Sequence, residues 1–347
     1  MDNRLSKSRL NYIDVYKGVS IFFVIITHYE WTERQRVIGL FPFWIEMAVP
    51  VFMVITGYLY AISLSNRGIK YYFGLKNLVC KLLRFIIPFF PIAMIQIVVN
   101  LLSTGISLKS VVSIFVTGGA GPGAYYFPVM LQLVLLIPFL YSIVDKYREK
   151  GLVVTFAINV IYEALKTYLG LSPGLYRLLI FRYIFIVSFG CYLWVSQKKN
   201  LKDDKIKRLF TYIVGILGLI YIIVFNYTDI DPLITPLWTT TSVFAVLFIV
   251  PIMVRLMSPN KIHNRFLELC GRASFNIFLT QMIYYWVLSK YIYEFLPLFI
   301  QLPVNIIICI TVGIIFYLVE NPITSRIISM IKGKKSVQTL SSNVKSS

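Results

Sequence analysis

The feature that most constrains this chain is a recurrence of apolar runs about as long as a bilayer is thick, divided by short segments in which Lys and Arg collect. A run of about 20 predominantly apolar residues crosses the hydrocarbon core as a helix, because a helix satisfies every backbone polar group within its own segment. Such runs fall at roughly 18–33, 41–62, 83–102, 124–144, 151–168, 175–195, 209–226, 235–256, 272–290 and 301–320, the fifth and ninth being the least regular. The segment around 107–117 is too brief and polar to span. With Gly118, Gly119, Gly121, Pro122 and Gly123 behind it, it reads as a loop able to dip into the membrane. The expected fold is all-α: a polytopic bundle of about ten transmembrane helices.

Charge placement tests this count independently. The chain carries 34 Lys and Arg against 15 Asp and Glu, a formal net charge of +19, which in a soluble protein would suggest nucleic acid. Here the residues are 58% hydrophobic and the cations sit between the apolar runs, so lipid is the expected partner and nucleic acid is not. Placing the N-terminus inside puts 27 of the 34 cations in alternate, cytoplasmic segments. Among them are Arg4, Lys7, Arg9 and Lys17, the group Arg67 to Arg84, the group Lys198 to Arg208 (with Lys202), Lys261, and the last group with Lys334, Lys335 and Lys345. Arg34, Arg36, Lys109, Lys166, Arg177 and Lys290 fall outside, and Arg182 falls within a span. Both termini are therefore expected in the cytoplasm and the protein in the cytoplasmic membrane. One integral domain, 1–335, accounts for nearly the whole chain. The polar tail SVQTLSSNVKSS, 336–347, is expected to be disordered. The first run continues as a full span with no small-residue cleavage site after it, so it does not read as a signal peptide. Cys80, Cys191, Cys270 and Cys309 show no CxxC spacing and no metal-ligand pattern, so neither disulfide nor metal is expected.

Ionisable groups inside spans are costly and direct attention to chemistry. Lys17 and His28, 11 residues apart in YIDVYKGVSIFFVIITHYEW, share a helix face at about 100° per residue and lie about 16 Å apart along it. A neutral imidazole can take a proton from a hydroxyl during acyl transfer; equally, a bundle-facing His can hydrogen-bond a neighbouring helix. Glu30 and Glu46 could orient or recharge it, or be interfacial carboxylates. Lys81 and Arg84 in KNLVCKLLRFIIP share a face at one membrane mouth, which suits phosphate binding as well as plain anchoring. Tyr125 and Tyr126 suit an aromatic belt, and Gln132 an inward face. Ser274, Thr280 and Gln281 in GRASFNIFLTQ offer donors or packing, and Glu320 in FYLVENPI a cap or a catalytic acid.

Taken in order, these stretches resemble the integral membrane acyltransferases of family 3, which include bacterial O-acetyltransferases of surface polysaccharides. The resemblance rests on D-x-x-K-G with a later His (Asp14, Lys17, Gly18, His28), VPVFMVITGYLY (Pro50, Phe52, Gly57) and K-x-x-R-x-x-x-P (Lys81, Arg84, Pro88). It continues with YYF and a later Pro (Tyr125, Tyr126, Pro138), G-x-x-S-F (Gly271, Ser274, Phe275, Leu279) and E-x-P (Glu320, Pro322). It implies transfer of an acyl group, most often acetyl, from cytoplasmic acyl-CoA to a sugar hydroxyl at or beyond the outer face. His28 would be the essential base or acyl carrier, with Glu30 and Glu46 beside it. Lys17, Lys81 and Arg84 would hold the CoA phosphates, and Tyr126, Gln132, Ser274 and Glu320 would contact substrate. Acetyl-CoA would be a substrate rather than a resident cofactor, and the acceptor a bacterial surface glycan or lipid-linked oligosaccharide. Two positions depart from the family: Lys17 stands where Arg is usual, and Gln281 where His is frequent.

Other polytopic proteins remain to be weighed. A transporter would be expected to carry internal repeats and matching broken helices, neither of which is evident. A glycan flippase or polymerase would usually carry a large, charged outer loop, whereas the longest here, about 103–123, is Gly-rich with a single Lys.

Overall fold

A computed structural model describes residues 11–103, 105, 107–199, 205–234, 242–258 and 262–333. The expected disordered tail, and Arg4, Lys7, Arg9, Lys202, Lys261, Lys334, Lys335 and Lys345 of the charge pattern, lie outside the described residues, as does the start of the eighth expected span. Every regular element among the described residues is helical.

In chain order the α-helices are α1 (Asn11–Thr27), α2 (Glu33–Ile38), α3 (Ala48–Arg67), α4 (Ile69–Phe73), α5 (Leu75–Ser103), α6 (Leu108–Thr117), α7 (Tyr126–Tyr147), α8 (Glu149–Tyr168) and α9 (Pro173–Leu178). They continue with α10 (Ile184–Lys198), α11 (Lys205–Tyr227), α12 (Val243–Val246), α13 (Val250–Leu256), α14 (Arg265–Arg272), α15 (Ser274–Ile283), α16 (Ser289–Phe295) and α17 (Leu298–Ile331).

Six helical runs among the described residues are long and apolar enough to cross a membrane: Phe41–Arg67, Leu75–Ser103, Tyr126–Tyr147, Ile180–Lys198, Lys205–Tyr227 and Leu298–Ile331. The other four expected spans map onto shorter or interrupted helices. α1 stops at Thr27 rather than running on to 33, and the described part of the eighth is helical from Val243, with Ser242 as its cap. α8 is of spanning length but carries Glu163 and Lys166 in its apolar run. The ninth is α15, a π-helical turn at Tyr284–Leu288, and α16. The segment 107–117 is α6, not a loop. Ser107 accepts a hydrogen bond from the Ser110 N–H and so caps its start, and left-handed Gly118 ends it.

The helices sort into two layers by how much of each is covered. Around 61–72% of the apolar windows of α3, α7 and the α10 run are buried, against 17–28% for α5, α11 and α17. The first set is the interior. The second presents unbroken apolar faces, such as Leu101 and Leu102 on α5 and Leu298 and Phe299 on α17, and their place is against lipid tails.

Between lipid-embedded helices there is little hydrophobic drive, so close backbone contact must hold them. Gly57 on α3 and Gly190 on α10 supply one such crossing. A Cβ on Gly57 would stand 2.1 Å from the Val187 carbonyl oxygen, and one on Gly190 would stand 2.1 Å from that of Val54. The Cys191 thiol donates to the Gly57 carbonyl at 3.4 Å across the same contact. A second crossing joins α1 to α14. There a Cβ on Gly18 would lie 2.2 Å from the Leu267 oxygen, and one on Gly271 would lie 1.8 Å from that of Asp14. The glycines of D-x-x-K-G and G-x-x-S-F are therefore packing partners, and their contact fixes Lys17 relative to Ser274.

All four cysteines are buried free thiols. Glu163, deep in α8, accepts from the Ser242 hydroxyl at 2.8 Å and the Val243 N–H at 2.6 Å, tying α8 to the start of α12.

Because the obstructing atoms at both crossings are backbone, no rotamer change can relieve a new side chain. Gly190→Leu and Gly271→Val are each expected to cost at least about 1–3 kcal/mol, the range for overpacking. The expected readout is loss of the monodisperse peak on fluorescence-detected size exclusion and a lowered melting temperature in detergent. By contrast, Gly174→Ala, where nothing stands within 4 Å, should leave both unchanged.

Candidate active site

A cavity of about 970 Å³ runs between α1, α3, α5, α7, α15 and the turn before α10. Lys17, Lys81 and Arg84 line it, as do His28, Arg36, Glu46, Gly121, Gly123 and Arg182. Two helices measure its length. Along α1, Lys17 and His28 are about 16 Å apart. Along α5, Arg84 lies 12 residues, or about 18 Å, from Gln96. The buried Gln96 side chain accepts from the Ala120 N–H at 2.8 Å and so marks the glycine loop. The cavity thus has a basic end and, one helix length away, a histidine end.

His28 owes its position to how α1 stops. Past Thr27 the chain tightens: the His28 N–H reaches the Ile25 carbonyl and the Tyr29 N–H that of Ile26. Tyr285 donates to the Ile25 carbonyl at 3.0 Å and the Trp31 indole to that of Ile26 at 2.7 Å, giving each of these last carbonyls of the helix a second, side-chain donor. The imidazole packs edge-on to Tyr285, with centroids 6.3 Å apart, and makes no hydrogen bond to any described residue. Both ring nitrogens are therefore available to a substrate. Tyr285 belongs to the π-helical turn. Behind that turn runs a polar chain in which Tyr284 donates to Asn305, Asn305 donates to Tyr293 (2.6 Å), and Tyr29 donates to Gln301 (3.0 Å).

The wall facing His28 is the glycine loop. Gly118, Gly119, Gly121 and Gly123 all have positive φ, between 82° and 101°, which costs other residues strain. A Cβ on Gly123 would meet the Phe278 ring at 2.8 Å and come within 3.6 Å of His28 Nε2, so glycine keeps the space before the imidazole open. The segment read as a membrane-dipping loop thus divides into helix α6 and this cavity wall.

At the basic end, Lys17 pairs with Asp14 at 3.7 Å, one turn earlier on α1. Lys81 Nζ lies 3.9 Å above the Tyr72 ring centroid. Among the described residues neither Lys81 nor Arg84 has a carboxylate partner, and Arg84 opens to the cavity beside Tyr60 and Ser63. Such a cluster can receive polyanionic phosphate.

The remaining sequence candidates divide. Tyr126 and Ser274 line the cavity, with the Tyr126 ring 5.1 Å from that of Phe278. Glu46 lines it too, but its carboxylate is held by Arg36 and so does not orient His28. Glu30 is exposed and away from the cavity, because α1 has already ended and the chain no longer follows the helical register that put it near His28. Gln132 and Glu320, expected to contact substrate, do not line the cavity; their polar atoms serve neighbouring helices. Gln132 donates to the Leu178 carbonyl at 2.7 Å and accepts from the Ile180 N–H at 3.1 Å. Glu320 accepts from Asn276 at 3.1 Å and from the Thr324 hydroxyl, joining α17 to α15. Gln281 is fully buried.

Sequence reasoning missed the arginines of the histidine end, Arg36, Arg177 and Arg182, all cavity-lining. Arg182 carried the one available signal, a lone cation inside an expected span. Its turn is held by the Gln132 clasp. Asn159 holds it too, its amide nitrogen facing the Phe181 and Arg182 carbonyls at 3.2 and 3.0 Å in the orientation that satisfies it.

No curated protein and no solved structure matches this chain. A family model described as an acyltransferase domain does, over residues 10–318 of 347. That match takes in α1 through α16, α17 as far as Leu318, and every element that lines the cavity. The chain belongs to this family, the membrane acyltransferases of family 3, and is a multi-pass membrane acyltransferase.

Proposed function

We propose that this acyltransferase takes an acyl group, acetyl in the first instance, from cytoplasmic acyl-CoA and delivers it to a hydroxyl of a surface or lipid-linked polysaccharide beyond the cytoplasmic membrane. The observation that carries this reading is that one cavity is lined by Lys17, Lys81 and Arg84 at one end and by His28, without a hydrogen-bond partner among the described residues, at the other. Lys17, Lys81 and Arg84 hold the nucleotide phosphates at the cytoplasmic mouth. The pantetheine arm, similar in length to the roughly 16 Å between the two ends, carries the thioester to His28.

At the histidine end the acceptor oxygen gives its proton to His28 and attacks the thioester carbonyl. The C–S bond then breaks, and the imidazolium returns the proton to the departing CoA sulfur. An alternative route through the same imidazole forms an acyl-His first, releases CoA and then passes the acyl group to the hydroxyl. Either way the glycine loop leaves room for the acceptor. Tyr126, on the cavity wall three residues after Gly123, is the hydroxyl proposed to stabilise the developing oxyanion, and Ser274, on the wall nearer Lys17, is a donor for the rest of the substrate.

Glycan from cells carrying His28→Ala should lose its O-acyl signals in proton NMR, since general-base catalysis is worth about 10²–10⁴-fold. Wild-type acylation in that strain would overturn the role of His28, and wild-type acylation in a deletion strain would overturn the enzyme assignment. Lys81→Glu with Arg84→Glu acts at the other end. It is expected to raise the KM for acetyl-CoA by about tenfold or more, the scale of one or two lost charge-assisted contacts, while leaving the acceptor KM unchanged. Equal weakening of both substrates would count against a donor site there.

A further inference from the structure

Arg182 lies in the turn Ile180–Tyr183 that leads into α10, is 7% exposed, and lines the histidine end of the cavity. Its guanidinium carbon sits 4.7, 5.4 and 5.5 Å from the ring centroids of Tyr183, Tyr125 and Tyr176. Ring faces attract a cation but do not accept its in-plane N–H groups. Nε and Nη1 of Arg182 are sealed in without a hydrogen-bond partner among the described residues, which leaves Nη2 as the donor open to the cavity.

The buried carboxylate nearest in kind, Glu163, does not supply one. Its oxygens are taken by the Ser242 hydroxyl and the Val243 N–H, and it forms no ion pair with Arg182. A guanidinium removed from water with donors unmet is destabilising by several kcal/mol. A substrate oxyanion bound at Nη2 offsets part of that cost through its charge.

We infer that Arg182 is an oxyanion subsite for the acceptor: the glycan that receives the acyl group carries a carboxylate or a phosphate, and Arg182 binds it beside His28. Building the recognition on a cation inside the cavity also excludes neutral sugars, which would leave the guanidinium unpaired and dry. The word acceptor rests on the function proposed above; the oxyanion site itself does not.

The test uses the full chain in lipid nanodiscs with saturating CoA, so that the basic end is occupied. Binding of sodium glucuronate, inorganic phosphate and glucose is measured for wild type, Arg182→Met and Arg182→Lys. Wild type should bind glucuronate, phosphate or both, but not glucose. Arg182→Met should weaken anion binding at least tenfold, and Arg182→Lys should restore part of it, with CoA affinity unchanged in all three. Binding of glucuronate alone identifies a carboxylate-bearing acceptor, and of phosphate alone a phosphorylated one.

No anion binding by the wild type, or equal binding by Arg182→Met, would overturn the site. Should Arg182→Met fail to fold, hydrogen exchange in the wild type decides: protection of residues 180–186 by either anion supports the subsite, and its absence overturns it. Anion binding that depends on Arg182 in a protein whose His28→Ala strain acylates normally would leave the subsite standing and remove only its role in acyl transfer.

Discussion

Helices in a bilayer gain little by burying apolar surface against one another, since lipid tails are as apolar as they are. The crossings of α3 with α10 and of α1 with α14 answer this with glycine. At Gly57, Gly190, Gly18 and Gly271 a missing Cβ lets one backbone reach the carbonyl of the next. Everything else in the interior is spaced from these contacts. The α1–α14 crossing sets Lys17 opposite Ser274, and the α3–α10 crossing sets the wall that carries Arg182.

The same scarcity of solvent governs the polar groups. Away from the cavity several are paired, Gln132 with the 178–180 backbone, Glu163 with α12, and Glu320 with Asn276 and Thr324, while others such as Gln281 and Ser188 are buried without a hydrogen-bond partner among the described residues. Along the cavity the groups left open are ionisable ones. His28 has no hydrogen-bond partner among the described residues, Lys81 and Arg84 have no carboxylate, and Arg182 keeps two unmet donors. Groups left open in a low-dielectric interior are held there by the surrounding packing, and that is the condition a binding or reacting site needs.

Much of the architecture was legible because hydropathy in a membrane chain reports a physical threshold, the thickness of the hydrocarbon core. The long helices α5, α7, α11 and α17 follow directly from it. Legibility failed where a helix is interrupted by what it packs against. The ninth expected span breaks at Tyr284–Leu288, where Tyr285 turns to the end of α1, and no local residue marks that π-turn. The end of α1 was misjudged for a similar reason. The expected span ran on past Trp31 to residue 33, while the Trp31 indole folds back on the Ile26 carbonyl and the helix closes at Thr27. That shift of a few residues removed Glu30 from the site.

By itself the sequence determined the helical class, the membrane setting, the family and the pairing of a basic residue with a histidine on α1. These depend on composition, period and motif order, which are local quantities. The tertiary structure alone decided which polar residues are spent on holding helices and which face the cavity. Gln132, Glu320 and Arg182 look alike in a hydropathy profile, since each is a polar group in an apolar run. Only the positions of partners on other helices separate the first two, whose hydrogen bonds are met, from the third, whose donors are not.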